Sequence, residues 1–257
     1  ELCFVVGPAA VTLLATQVHP AAGVTCAALC ALGGSLWFAS QRSTEPPAGD
    51  VVLAPAAAAP RGEARPRSRL SRPAAPGLVV LVPAYLFLGA MFVTIDLSTV
   101  AFATHSGHKA LAGLILGTYA LGSGTGGLWY GSRTWRAPAS QRLAVTLLLT
   151  VAGVCTFWAM PNLLVLTPVI FLCGMTIAPT LIAGYSLLES TARPGRATEA
   201  MSWLSTGISV GVAGGSTAAG FILDAFGARW GYAFAGASGV TAAVIYLAGL
   251  RRVSRRS

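Results

Sequence analysis

The sequence predicts an all-α membrane protein, a polytopic bundle of eight transmembrane helices grouped as two and then six. Three observations predict it. The 257 residues are 54% hydrophobic and only 10% charged, against roughly 25% charged in a soluble domain. The charges are clustered, and the apolar stretches between them run about 17–26 residues, enough to cross a hydrocarbon core of roughly 30 Å at 1.5 Å per residue. Basic residues recur in alternate gaps between those stretches. Each span must satisfy its own backbone hydrogen bonds in lipid, and long apolar runs without alternation select helices over a barrel.

The first span, 2–18, starts beside Glu1, a carboxylate that lies within the membrane if helix continues upstream and is a truncation-edge residue otherwise. The chain shows neither an initiating Met nor a basic leader, and is read as a fragment. A tight turn at His19-Pro20 leads into the second span, 20–40. Residues 41–77 form a basic linker. Within it, 41–76 carry seven Pro, six Arg and three acids, a composition that cannot bury a core and predicts a disordered cytoplasmic segment. Six spans follow at 78–102, 110–131, 142–160, 162–187, 201–223 and 229–250, with short connections such as Met160-Pro161-Asn162. The block 78–250 is therefore a six-helix unit, and 251–257 is a short tail.

A net charge of +9 invites a nucleic-acid reading, but its distribution argues against one. Arg42, Arg61, Arg65, Arg67, Arg69 and Arg72 lie in the linker; Arg133, Arg136 and Arg142 in one later gap; Arg193 and Arg196 in another. Arg251, Arg252, Arg255 and Arg256 lie in the tail. Only Lys109 and Arg229 fall in the intervening gaps. This is the positive-inside asymmetry, and it predicts a multi-pass protein of the cell membrane with both ends cytoplasmic. All five cysteines lie in apolar stretches, where a thiol behaves as a small buried group. Cys26 and Cys30 share a helix face without a His or carboxylate, so no disulfide framework, metal or cofactor is expected.

Glycine is patterned. Gly207, Gly211 and Gly215 repeat every fourth residue, as do Gly113 with Gly117 and Gly127 with Gly131. Small residues at that spacing let helix backbones approach in a bilayer. Gly122 to Gly127 fits G-x-G-x-x-G, but no strand precedes it and it sits in a helix-packing stripe, so nucleotide binding is not expected. Asp96 lies about two-thirds along its span. A charge at the bilayer centre costs at least about 2.5–3.5 kcal/mol on insertion scales, which makes Asp96 a candidate coupling or substrate-contact carboxylate; nearer the outer interface it would be hydrated or paired with Lys109. His105 and His108 read as a solvated loop pair, with proton sensing as the functional alternative. Glu189 with Arg193, and Arg196 with Glu199, are candidate interfacial ion pairs. Tyr85 and Tyr185 are the candidate cavity aromatics. Pro83, Pro168 and Pro179 are candidate kinks.

Several of these stretches resemble the major facilitator superfamily of transporters, helices five to twelve, in an efflux-type bacterial member. Gly7-Pro8 resembles the Gly-Pro motif of the fifth helix of the family's exporters, although Val11-Thr12 stand where that pattern continues with Gly-Gly. Gly126 to Arg133 is similar to the loop Gly-x-x-x-Asp-Arg-x-Gly-Arg-Arg, with Gly131 at the Asp position and Arg133 kept as a loop cation. Gly195 to Glu199, the Gly207 series and Ala219 to Gly227 look like the eleventh helix and its turn into the twelfth.

The resemblance implies two six-helix halves rocking about a midplane cavity. Residues 1–40 would then be the last two helices of the N-terminal half, with four more expected upstream. It also implies a small organic solute and protons as partners, with Asp96 and Glu1 in transport and coupling, and Gly7, Pro8, Gly127, Gly131, Arg133, Gly207, Gly211 and Gly215 in gating or helix packing. Sixteen Arg to one Lys fits a GC-rich bacterial genome. The competing readings are a membrane enzyme acting on lipid-linked substrates, which would draw on Asp96, Glu189 and Glu199, and a non-transporting remnant.

Overall fold

The computed structural model describes residues 7, 14, 18–19, 21–41, 76–109, 111–192 and 196–254. The chain divides into a unit of residues 10–73 and a larger one of residues 1–9 and 74–257. In the smaller unit, α1 (Ala22–Ser40) is apolar on every side; Val24, Leu29, Leu36, Trp37 and Phe38 are exposed and only Gly23 is buried. Such a helix suits lipid, where no face has to be polar. Nearly all of the expected first span and of the expected linker lies outside the described residues.

The larger unit contains α2 (Pro76–His105), α3 (Leu111–Gly131), α4 (Ala139–Thr156) with a 3-10 turn at Phe157–Ala159, α5 (Leu163–Gly174), α6 (Ile177–Thr191), α7 (Ala197–Phe226) and α8 (Ala228–Ser254). Among the described residues, six stretches are long and apolar enough to cross a membrane: α1, α2, α4 with its 3-10 turn, α5 with α6, α7 and α8. Six of the expected eight spans are met in this way. Of the other two, 2–18 lies outside the described residues except at 7, 14 and 18. The second, α3, is a 21-residue helix whose glycines, serine and threonines dilute its hydropathy.

The expected span 162–187 is two helices. Pro179 has no N–H to offer the Met175 carbonyl, and its ring would clash there, so the helix gives way at Met175-Thr176. Thr176 N–H instead donates to Cys173 C=O at 3.1 Å, closing α5 with a tightened turn. The Met175 carbonyl is pressed against Gly126 of α3, where any side chain would collide with it. Gly122 likewise admits the Phe171 carbonyl, and Gly174 admits that of Tyr119. Beside the break, Thr150 Oγ1 donates to Thr176 Oγ1 at 2.7 Å and lies 3.2 Å from Thr180 Oγ1, a buried hydroxyl cluster joining α4 to α6.

Helix α2 is the hub, packing most extensively on α7 and α8. Its inward side supplies Leu81, Tyr85, Leu88, Met91 and Ile95 to a core completed by Leu143, Leu147 and Val154 of α4, Leu187 of α6 and Tyr246 of α8. Against its other side lies a stripe of α7, Ala200, Leu204, Gly207, Gly211, Gly215 and Ala219, spaced as one helix face. Side chains added at Gly207, Gly211 and Gly215 would meet the backbone of Val82, Leu86 and Ala90 in turn. These matches ascend together, so α2 and α7 run parallel, as the first and fifth spans of an alternating bundle must. Gly227, at φ 84°, ends α7 in the left-handed region that a Cβ disfavours and turns the chain directly into α8.

Asn162 caps α5, its Oδ1 accepting from Val165 N–H at 3.0 Å. Asn162→Ala is expected to destabilise the bundle by about 1 kcal/mol, the usual value of such a cap. Thermal unfolding of the solubilised chain followed by circular dichroism measures it.

Candidate functional site

Helix α7 has three sides. One is the glycine stripe buried on α2. A second is apolar and exposed, with Trp203, Val210 and Phe221. The third carries Ser202, Ser205, Thr206, Ser209, Ser216 and Thr217, all exposed or half-exposed and all on one helix face. Most of their protons are already used within the helix: Ser202 donates to Thr198 C=O at 2.9 Å, Thr206 to Ser202 C=O at 2.8 Å, Ser209 to Ser205 C=O at 3.0 Å and Thr217 to Ala213 C=O at 3.1 Å. This back-bonding lets hydroxyls ride on a membrane helix and leaves their remaining lone pairs facing outward.

At the edge of that side, Tyr185 of α6 reaches α7, its hydroxyl 3.0 Å from Ser205 Oγ. Tyr85 lies beneath it, edge-on at a centroid distance of 6.4 Å. Only 1% of Tyr85 is exposed, and its hydroxyl donates to the Thr180 carbonyl at 3.0 Å; Gly184 supplies the space for its ring. Of the two expected cavity aromatics, Tyr185 reaches the open face and Tyr85 is a core strut under it. Asp96 follows Tyr85 by eleven residues, close to three turns, and so shares its side of α2. Its carboxylate is exposed on the larger unit and, among the described residues, meets neither Lys109 nor any other cation within 4 Å.

The other sequence candidates separate. Gly207, Gly211 and Gly215 form the α2 seam, and Gly127 packs on Ala178. Gly131 and Gly117 face open space, while Gly122 and Gly126 make the tight α3 crossing. Arg133 lies over the Trp129 ring, 4.6 Å from its centroid. Glu1, Pro8 and Arg193 lie outside the described residues, and Gly7 is helical and half-buried. Arg196 and Glu199 pair at 3.2 Å, both well exposed, an arrangement that contributes at most about 1 kcal/mol. His108 Nδ1 lies 2.7 Å from the Ser106 carbonyl in the α2–α3 turn. Sequence reasoning missed the hydroxyl side of α7, although its spacing was legible. It also missed Tyr119, whose buried hydroxyl has no hydrogen-bond partner among the described residues.

The hydroxyl side of α7 is polar in a bundle otherwise suited to lipid, and its back-bonded hydroxyls can lie against acyl chains or line a polar path. Residues 83–257, more than half of the chain and including every element of this face, match the profile of the Major Facilitator Superfamily. The chain belongs to the major facilitator superfamily. No curated protein and no solved structure matches it. A member of this superfamily is a multi-pass membrane transporter of small solutes, and the membership points away from an enzyme. In this major facilitator chain the hydroxyl side of α7, Tyr185 and Asp96 are among the polar groups that the larger unit leaves exposed or half-exposed.

Proposed function

We propose that the chain is the working C-terminal part of a proton-coupled exporter in a bacterial cell membrane. It spans the membrane eight times, keeps its arginine-rich connections on the cytoplasmic side, and expels a small organic solute by alternating access. In this reading the hydroxyl side of α7, Tyr185 and Asp96 form one wall of the solute path. Residues 1–40 belong to a second half of the transporter. The observation that carries the reading is the three-sided division of α7: the glycine stripe lets it seat directly on α2, and the hydroxyl side is thereby turned to the open face beside Tyr185. The arginine distribution supports the orientation, since Arg133, Arg136, Arg196 and Arg251 gather at one end of the bundle and Arg229 and Lys109 at the other.

The test is single cysteines read against the parent chain in membranes, using a membrane-impermeant cationic thiol reagent. Ser209→Cys is expected to be labelled and Val210→Cys, on the lipid-directed side, to be spared. Equal labelling of the two, or labelling of Val210→Cys alone, defeats the assignment of this face to an aqueous path.

A further inference from the structure

Helices α3 and α4 are consecutive, yet they pack on α5 and α6 far more than on each other. Between them runs a groove of about 410 Å³ that starts at the 132–138 loop, passes Val145 and Leu149 of α4, and is floored by Met175, Thr176 and Pro179 at the helix break. Its mouth is aromatic and cationic. Trp135 stacks on Tyr130 at 4.8 Å, with its Nε1 donating to the Tyr130 carbonyl at 2.9 Å, and Trp129 meets Trp135 edge-on at 5.8 Å. Arg142 donates through Nη1 to the Tyr130 hydroxyl at 2.8 Å, and its Nε, shielded from solvent, has no partner among the described residues. Arg133 and Arg136 lie in the same loop. Among the described residues none of the three arginines is within 4 Å of a carboxylate.

We infer that this groove is a binding site for an anionic phospholipid. Tryptophan and tyrosine at one end fix the level of the headgroup region. Uncompensated guanidiniums there take a phosphodiester by charge-assisted hydrogen bonds. The wall from Arg142 to Leu149 continues about 10 Å into the apolar zone at the helical rise, so one acyl chain lies along Val145 and Leu149 and fills the space α3 and α4 leave open. The proposal is independent of proton coupling and of the solute path, which lie on α2, α6 and α7.

Native mass spectrometry of the full chain in mild detergent, incubated with dioleoylphosphatidylglycerol or dioleoylphosphatidylcholine, tests it. Retention of the phosphatidylglycerol adduct is expected to exceed that of phosphatidylcholine at least about tenfold, equivalent to about 1.4 kcal/mol. Arg142→Gln should lose the preference. Leu149→Trp, which fills the groove from an exposed position and leaves every cation in place, should lose it too, with helicity checked by circular dichroism. The inference is overturned by equal retention of the two lipids. It is also overturned if Leu149→Trp retains phosphatidylglycerol as the parent does, whether or not Arg142→Gln fails, because surface charge alone then explains the binding.

Discussion

Gly211→Leu is expected to loosen α7 from α2 and to lower the melting temperature markedly, while Gly214→Leu, three residues on, is expected to be silent. At Gly211 a Cβ would run into the Leu86 carbonyl, and at Gly214 nothing lies within 4 Å. The obstacle at 211 is backbone, so no rotamer change relieves it. Gly215 and, less closely, Gly207, one turn to either side, also sit against α2, which limits how far α7 can tilt away locally. Overpacking of this kind destabilises by about 1–3 kcal/mol, and the rigidity of the seam places Gly211→Leu at the upper end. Fluorescence-detected size-exclusion chromatography and thermal unfolding of the two variants measure it. Matching melting temperatures would show that the α2–α7 seam is not what holds the helices together.

Asp96→Asn is expected to remove the response of solute export to a pH gradient while leaving the protein at least as stable. The carboxylate has no cationic partner among the described residues, so its charge is tolerated rather than stabilising, and an Asp in mid-membrane costs about 2.5–3.5 kcal/mol on insertion scales. Asn keeps the shape and discards the ionisation, returning part of that cost. Proteoliposomes of the complete protein, loaded with solute and given an imposed pH step, separate the possibilities. Export by Asp96→Asn that still follows the pH step removes Asp96 from coupling; a marked loss of thermal stability would instead identify it as a structural group.

Helix existence was legible because apolar length was sufficient evidence: 201–223 and 229–250 became Ala197–Phe226 and Ala228–Ser254. What hydropathy could not supply was facing. In a bilayer the outside of a helix is as apolar as its packed side, so nothing in α3 distinguished Gly117 and Gly131, which meet nothing, from Gly122 and Gly126, which meet carbonyls. Tyr85 misled for the same reason, since an aromatic residue in a span reads alike in a core and in a cavity. The α5–α6 break was signalled by Pro179, but Pro83 lies within α2 and Pro168 within α5 without ending either helix, so the residue alone did not decide it. In α7 the signal existed: hydroxyls at 202, 205, 206, 209, 216 and 217 keep a helical period opposite the glycines. The glycine pattern was read and its complement was not.

The interrupted ladder at Met175 has a mechanical consequence. In an unbroken helix such as α7, bending means stretching a backbone bond that lipid cannot replace. Between α5 and α6 the bond from residue 179 to 175 is already missing, so the two segments can change their mutual angle without giving up any such bond. With the Met175 carbonyl resting on Gly126, a change of angle at this joint would turn about the α3 contact and not within either helix.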